Sequence, residues 1–273
     1  MLMIEKRVEL AKLTTIHIKG QVDIKVIENL DDFSKLPESF TVFGNGSNLL
    51  VKNRNRNFYK LSDKFSYVRI EDNALICGAS LKISTLMRFL IENSISGFEF
   101  MAGVPATVGG AVFMNAGAFF ESIGDKILYA KVFCASRGIV VFEKDKLNFG
   151  YRCSNLNNCV VIEAGFLYNR VDKNFIKEKI ANNIKTRLAK AHLTNTFGSV
   201  FKNPLGDYAG RLIEESGLKG FTKNSAKISD KHANYILGSK QTDIDDVLFL
   251  IDRAKEMVFK NFGVELEEEV KIV

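Results

Sequence analysis

Between Phe100 and Phe120 the chain carries no charged side chain, and this run restricts the folds open to it more than any other feature. It is long enough to cross a bilayer as a helix. It is also interrupted by Gly103, Pro105, Gly109, Gly110, Asn115 and Gly117. Each interior glycine costs a helix about 1 kcal/mol relative to alanine, and proline more, so a membrane span is the poorer reading. An uncharged loop wrapped around a ligand is the better one. In Gly103-Val104-Pro105-Ala106-Thr107-Val108-Gly109-Gly110, continuing to Met114-Asn115-Ala116-Gly117-Ala118, only Thr107 and Asn115 have polar side chains. So many small residues let a backbone lie close against a flat or extended ligand. A close-packed turn is the competing interpretation.

A second glycine-rich stretch, Gly44-Asn45-Gly46-Ser47-Asn48-Leu49-Leu50, follows the β-branched run Thr41-Val42-Phe43. Glycines there let backbone amides point into a concavity and approach a phosphate, and Ser47 and Asn48 add side-chain donors. It is not a dinucleotide fingerprint, because Leu49 stands where that motif needs glycine, and no Gly-Lys-Ser/Thr follows to make a P-loop. Taken alone it is equally a strand-to-turn junction. Two such cradles in one half of the chain suggest a single long ligand held at two points.

The 273 residues allow two domains, and 46% hydrophobic with 26% charged residues is ordinary for a globular protein. Met1 to Lys12 alternates charged and apolar residues and reads as no signal peptide. Further strands are expected at Ala74-Leu75-Ile76, Ile139 to Phe142 and Val160 to Ile162, and a helix at Leu81 to Asn93. A second helix follows Asp172 as N-cap, with Ile176, Ile180, Ile184 and Leu188 on one face. A third runs from Thr242 to Asn261 with Asp245 in capping-box position and Ile244, Val247, Leu248, Ile251 and Val258 inward. The best boundary lies near Asn169 to Asp172, dividing residues 1–168 from 169–273. Cys77, Cys134, Cys153 and Cys159 form no CxxC pair and no zinc spacing with His17, His192 or His232. No metal site is read, and reduced, mostly buried thiols are expected. The net charge of +6 is uneven, since Arg170 to Lys231 holds 13 Lys/Arg against 6 Asp/Glu. With no nucleic-acid module present, an anionic small molecule such as a diphosphate fits that excess better.

Eight motifs then fall in one order: Gly44 to Leu50, Gly103 to Ala111, Asn115-Ala116-Gly117-Ala118, Phe149-Gly150-Tyr151-Arg152, Gly198 to Pro204, Arg211 to Gly220, Ser229 to Asn234 and Gly263 to Val270. In that order and spacing the chain resembles the UDP-N-acetylenolpyruvoylglucosamine reductases, from about Thr15 to Val270. The resemblance implies an α+β chain. An FAD-binding fold of the flavin-oxidase type fills the N-terminal half, and a smaller α+β substrate-binding domain follows. It implies non-covalent FAD, NADPH as hydride donor and an enolpyruvyl UDP-sugar as substrate. It further implies a cytoplasmic monomer of peptidoglycan synthesis that uses neither nucleic acid nor membrane.

Carried over by position, FAD contacts fall on Gly44, Asn45, Gly46, Ser47, Asn48 and Leu49, then on Gly103, Val104, Pro105, Thr107, Val108, Gly109 and Gly110, with Asn115 and Gly117 closing the site. The catalytic positions fall on Arg152, Ser199 and Glu269 and the substrate-side positions on Lys202, Asn203 and His232. A guanidinium suits a carboxylate gaining negative charge. A serine hydroxyl suits protonation of a far more basic carbon. A glutamate that donates a hydrogen bond would have to be protonated, with its pKa raised by burial. Without the motif order, Arg152 would read as a surface ion-pair residue, Ser199 as a turn residue and Glu269 as part of the solvated run Glu267-Glu268-Glu269.

The chain departs from the family at Asn45, Ala106, Phe119 and Glu268 and over Ile16 to Gly20. The interval from Arg152 to Ser199 is too short for the substrate-covering tyrosine loop of one subclass. Two other readings fit parts of the pattern: an FAD oxidase on the same fold, or a UDP-sugar binder without catalysis. Oxidases that attach flavin covalently often use a histidine near the first loop, and none lies between His17 and His192. The first prediction follows. Acid precipitation of the purified yellow protein should release FAD into the supernatant, and colour kept in the pellet would contradict non-covalent binding.

Overall fold

The β-branched runs fold as strands because each alternates or concentrates apolar side chains that a sheet can bury. The computed structural model describes residues 3–191 and 194–273; His192, used in the metal and flavin arguments above, lies outside them. A four-stranded sheet has the order Ile4–Glu9, Gln21–Ile27, Phe58–Leu61, Thr41–Phe43, the last three mutually parallel. A five-stranded antiparallel sheet has the order Gly138–Glu143, Ile127–Cys134, Cys159–Phe166, Ala74–Gly78, Val68–Glu71. Its edge strand Gly138–Glu143 alternates half-buried and exposed residues, as an edge with one face in solvent should. In the core Phe33 stacks on Phe133, with ring centres 5.4 Å apart, and meets Phe65 edge-on.

The chain forms two compact units that interleave in sequence. One contains residues up to Lys6, Asp23–Asn45 and Arg56–Lys185; the other contains Arg7–Val22, Gly46–Asn55 and Thr186–Val273. No single cut after residue 168 separates them, for two reasons. The helix Lys173–Lys190 buries Ile176 and Ile180 in the core of the first unit. In the second, Lys271 and Ile272 pair in parallel with Leu49 and Leu50.

The helices follow their predicted periodicity with local corrections. Ile83–Glu92 buries Ile83, Leu86, Met87 and Leu90. Asp172 caps the next helix, accepting from the amides of Asn174 and Phe175, but Leu188, expected inward, is exposed. The last helix is Ile244–Phe262, and its cap is Asp243, which accepts from Asp245 N. The Thr242 hydroxyl instead donates to Ile16 O at 2.6 Å and Ser239 O at 3.1 Å. Leu250 and Ala254 also face inward, while Ile244 and Leu248 are half-buried. The uncharged run from Phe100 holds only the short helix Val108–Phe113, and among the described residues no helix is long and apolar enough to cross a membrane.

The expectation of four reduced, mostly buried thiols is corrected. Cys134 and Cys159 sit directly opposite each other on neighbouring antiparallel strands, Cα–Cα 4.2 Å, and form a disulfide. Strand register, invisible in cysteine spacing, brings them within bonding reach. Cys77 is buried and free, with burial pushing its thiol pKa well up, and Cys153 is free and exposed.

One polar cluster lies on the five-stranded sheet. Glu163 accepts from Tyr67 Oη at 2.6 Å, Tyr129 Oη at 2.8 Å and Arg69 Nη1 at 3.1 Å. Burial acts to raise its pKa, but the bonds from Tyr67, Tyr129 and Arg69 outweigh it and hold the carboxyl below its ordinary value. Burial first, then the same carboxylate, push the Tyr67 phenol up to about 12. Glu163→Ala leaves three donors without their acceptor and should cost about 2–3 kcal/mol at neutral pH. A carboxyl whose folded pKa is depressed stabilises the fold above the unfolded value and loses that contribution as pH falls through the folded one. Urea midpoints of wild type and variant should therefore differ at pH 7 and converge as the pH falls below the ordinary carboxylate range.

Candidate active site

In the first unit the two glycine-rich stretches touch. Asn45 Nδ2 donates to Pro105 O at 2.8 Å, and a Cβ on Gly44 would lie 2.7 Å from Thr107 Oγ1. Thr107 caps Val108–Phe113 by accepting from Gly110 N at 3.3 Å. The amides of Val104, Val108 and Gly109 donate to the carbonyls of Met101, Leu81 and Ala79. A Cβ on Gly109 would stand 2.8 Å from that of Ala79. The Gly103–Gly110 stretch is therefore a close-packed turn in its own right, as the competing interpretation had it. What it can offer a ligand is small uncharged surface, at Gly110 for instance, where a Cβ would meet only Thr107 Oγ1, at 3.5 Å.

Asn115 joins that stretch to the catalytic candidate of this unit. It has φ +45°, and its side chain donates to Gly150 O at 2.9 Å and accepts from Gly124 N at 3.0 Å. Gly117, pairing with Ser122, starts the hairpin that follows. Gly150 pairs with Cys153, so Tyr151 and Arg152 form the turn between two short strands. Arg152 has φ +56°, and its guanidinium carbon lies 5.0 Å from the Tyr151 ring centre. A non-glycine residue in that region carries of order 1–3 kcal/mol of strain, which surrounding structure must impose.

The second unit gathers the remaining candidates around one extended segment. Ser199 bridges to Tyr235 on one side, and Phe201 bridges to Glu268 on the other. Glu269 N donates to Val200 O at 2.8 Å, and Lys202 N to Glu267 O at 2.8 Å. Asn48 Nδ2 reaches Glu269 O at 3.1 Å, and Leu49 pairs with Lys271. Ser199, Lys202, Glu269 and the Gly46–Leu49 turn are thus brought together. Among the described residues, the amides of Gly46, Ser47 and Asn48 and the Ser47 hydroxyl donate no hydrogen bond within the chain. They are a donor set of the kind a diphosphate accepts from. The run Glu267-Glu268-Glu269 is no uniform solvated face. Glu267 is exposed and pairs with Lys202 Nζ at 2.5 Å, Glu268 pairs with Lys255 at 2.6 Å, and Glu269 is half-buried.

Two substrate-side candidates do structural work. Asn203 Oδ1 accepts from Ala209 N at 3.2 Å, at the start of the helix Ala209–Glu215. His232 packs 4.9 Å from the Tyr235 ring centre and accepts from Asn234 N at 3.3 Å, and burial holds its imidazole below the usual pKa. Asn234 closes its motif in the sequence but was not among the site candidates. It is buried, and its side chain bonds both Phe201 N and Phe201 O, fixing the segment that carries Ser199.

With this geometry in view, comparison with known proteins is direct. A profile described as an FAD binding domain matches residues 25–142, which makes the chain a flavin-binding protein. A second profile, the C-terminal domain of UDP-N-acetylenolpyruvoylglucosamine reductase, matches residues 189–273. A reductase of that name from Campylobacter jejuni is 34% identical over 275 residues, covering 97% of this chain and 99% of the relative. One from Desulforamulus reducens is 40% identical over 238 residues, covering 85% and 78%. The crystal structure of UDP-N-acetylenolpyruvylglucosamine reductase from Thermus caldophilus superposes with a TM-score of 0.88 at 31% identity, covering 99% of each chain. The chain belongs to the UDP-N-acetylenolpyruvoylglucosamine reductase family.

No substrate-covering tyrosine loop is seen among the described residues of the interval expected to be too short for one. Between Arg152 and Ser199 the described residues form chiefly the strand Cys159–Phe166 and the helix Lys173–Lys190. The one tyrosine of the interval, Tyr168, lies beneath the Arg170 guanidinium.

Asn115→Ala should remove both side-chain bonds and leave alanine at positive φ. The expected loss is about 2–3 kcal/mol, seen as a lower urea midpoint at unchanged slope. Asn115→Asp, which keeps the acceptor for Gly124 N, should fall between the two.

Proposed function

We propose that this chain catalyses the NADPH-dependent reduction of UDP-N-acetylglucosamine enolpyruvate to UDP-N-acetylmuramate, a step of peptidoglycan synthesis, as a cytoplasmic monomer. The observation that carries the reading is the near end-to-end match to reductases of that name, with Ser199, Glu269, Asn48 and Lys202 gathered in one unit. Residues 1–168 supply most of the flavin contacts and 169–273 most of the substrate contacts in this reading.

FAD, when bound, supplies hydride storage between NADPH and the enolpyruvyl double bond. The amides of Gly46 to Asn48 and the Ser47 hydroxyl, which donate no bond within the chain, would hold its diphosphate. Gly44, Asn45 and Leu49, together with Gly103, Val104, Pro105, Thr107, Val108, Gly109 and Gly110, would supply further contacts to it. Asn115 and Gly117 hold the wall beside them.

Hydride arriving at the methylene carbon leaves negative charge on its neighbour, shared with the carboxylate. Arg152, fixed at its turn, stabilises that charge. Ser199 delivers the proton to the carbanionic carbon. Glu269, whose backbone is bonded to Val200 beside Ser199, orients the carboxylate. Lys202 contributes positive charge toward the sugar nucleotide, while Asn203 and His232 act by holding the substrate-side backbone in shape.

Ser199→Ala separates the two halves of this reaction. Flavin bleaching by NADPH needs no proton from Ser199 and should keep its wild-type rate in stopped flow. Reoxidation by the enolpyruvyl substrate should slow by about two decades or more, the usual contribution of a general acid. Reoxidation at an unchanged rate would remove Ser199 from the chemistry, and a wild-type protein whose flavin NADPH does not bleach would remove the reductase reading itself.

A further inference from the structure

Phe119 and Phe120 form the tip of the hairpin in which Gly117 pairs with Ser122 and Ala118 with Glu121. Both have positive φ, +54° and +64°. Two-residue turns of this hand favour Asn-Gly or Gly-Gly, because a Cβ there crowds the backbone, and for a bulky side chain the conformation is an outlier. The Phe120 ring covers nothing in its own chain: the residue is fully exposed, at 110% of its reference area. Neither local propensity nor burial accounts for an aromatic ring at this position.

The hairpin beneath the tip is stiff. Asp125 accepts from Ser122 N at 2.7 Å and from Ser122 Oγ at 2.9 Å. Glu121 lies 3.6 Å from Lys126 Nζ and 3.6 Å from Lys179 Nζ, and Lys179 also pairs with the buried Glu99 at 3.4 Å. At the hairpin's root Asn115 is bonded to Gly150, two residues before Arg152. A braced hairpin rooted beside the Arg152 turn therefore holds an exposed ring in a costly backbone conformation.

We propose that Phe120 is a stacking platform for the planar base of a nucleotide substrate. The assignment rests on the function proposed above, in which both exchanging substrates, the reductant and the sugar nucleotide, carry such a base. Aromatic stacking suits this use because every base presents a π face to it. A second copy of the chain is the poorer occupant. Two rings at a tip bury on the order of 200 Å² each, about 400 Å² from one copy, short of the roughly 600 Å² or more that each partner of a stable interface buries.

The test uses the FAD-loaded enzyme and Phe120→Gly, Phe120→Leu and Phe120→Tyr. Glycine relieves the left-handed strain, so Phe120→Gly should melt at or above the wild-type temperature, by about 2–4 °C. Its KM for NADPH or for the enolpyruvyl sugar nucleotide should rise at least fivefold with kcat within about twofold. The substrate whose KM moves is the one whose base stacks. Tyrosine should restore the KM, and leucine, apolar but without a π face, should not.

The proposal is overturned if Phe120→Gly leaves both KM values within about twofold of wild type, whether or not its sedimentation changes. A change in sedimentation alone would give the tip to self-association. Restoration by leucine as complete as by tyrosine also overturns it, by reducing the contact to greasy surface. A wild-type enzyme that does not consume NADPH defeats the underlying reading of the function, and it is told apart by failing before any variant is made.

Discussion

The second unit depends on one extended segment being held along both edges. Asn234 bonds both backbone groups of Phe201 from one side, and Glu267 to Glu269 run along the other. Because the asparagine is buried, leaving Phe201 N and O unmatched would carry the full cost of a desolvated amide, about 1–3 kcal/mol for each group. The segment therefore has one energetically acceptable register. That register fixes Ser199 against Tyr235 and places Glu269 next to Val200. Side chains on such a segment inherit the precision of a backbone that cannot slip.

The two glycine-rich stretches divide their labour by hydrogen bonding. Within Gly103 to Gly110 the amides of Val104, Val108, Gly109 and Gly110 are taken up by the fold, so these positions give shape without polarity. At Gly46 to Asn48 the amides remain available, so this turn gives polarity at close range. A cofactor with a charged diphosphate and a large flat ring system calls for both kinds of surface. A turn made wholly of one kind would bind only part of such a molecule.

Much of this was legible in the residues, and what was not has identifiable causes. Local patterning found four strands and the three long helices, because apolar spacing is a local property, but it missed Gln21–Ile27 and Ile127–Cys134, each central to its sheet. The cap of the last helix is Asp243, and Thr242 beside it bonds Ile16, a partner more than two hundred residues away. The disulfide and the Glu163 cluster also rest on strand register, which spacing along the chain does not encode. Motif order pointed to Arg152, Ser199 and Glu269, yet Asn234 was passed over, since a buried asparagine that holds backbone reads like any polar residue in a loop. Asn203 and His232 show the reverse case, motif residues whose side chains serve the fold.

The interleaving of the two units has a consequence for how the chain is made. Synthesis proceeds from the N-terminus, and the first unit is complete in sequence once Lys185 has emerged. Leu49 and Leu50 must wait for Lys271 and Ile272, over two hundred residues later, before their pairing can form. Closing so long a loop carries an entropic penalty that grows only logarithmically with its length, but the wait itself is set by the ribosome. Throughout that interval the amide-bearing turn Gly46 to Asn48 hangs from a nearly finished neighbour without its own sheet. The turn proposed to grip the cofactor's diphosphate is thus among the last parts of the chain to acquire its shape.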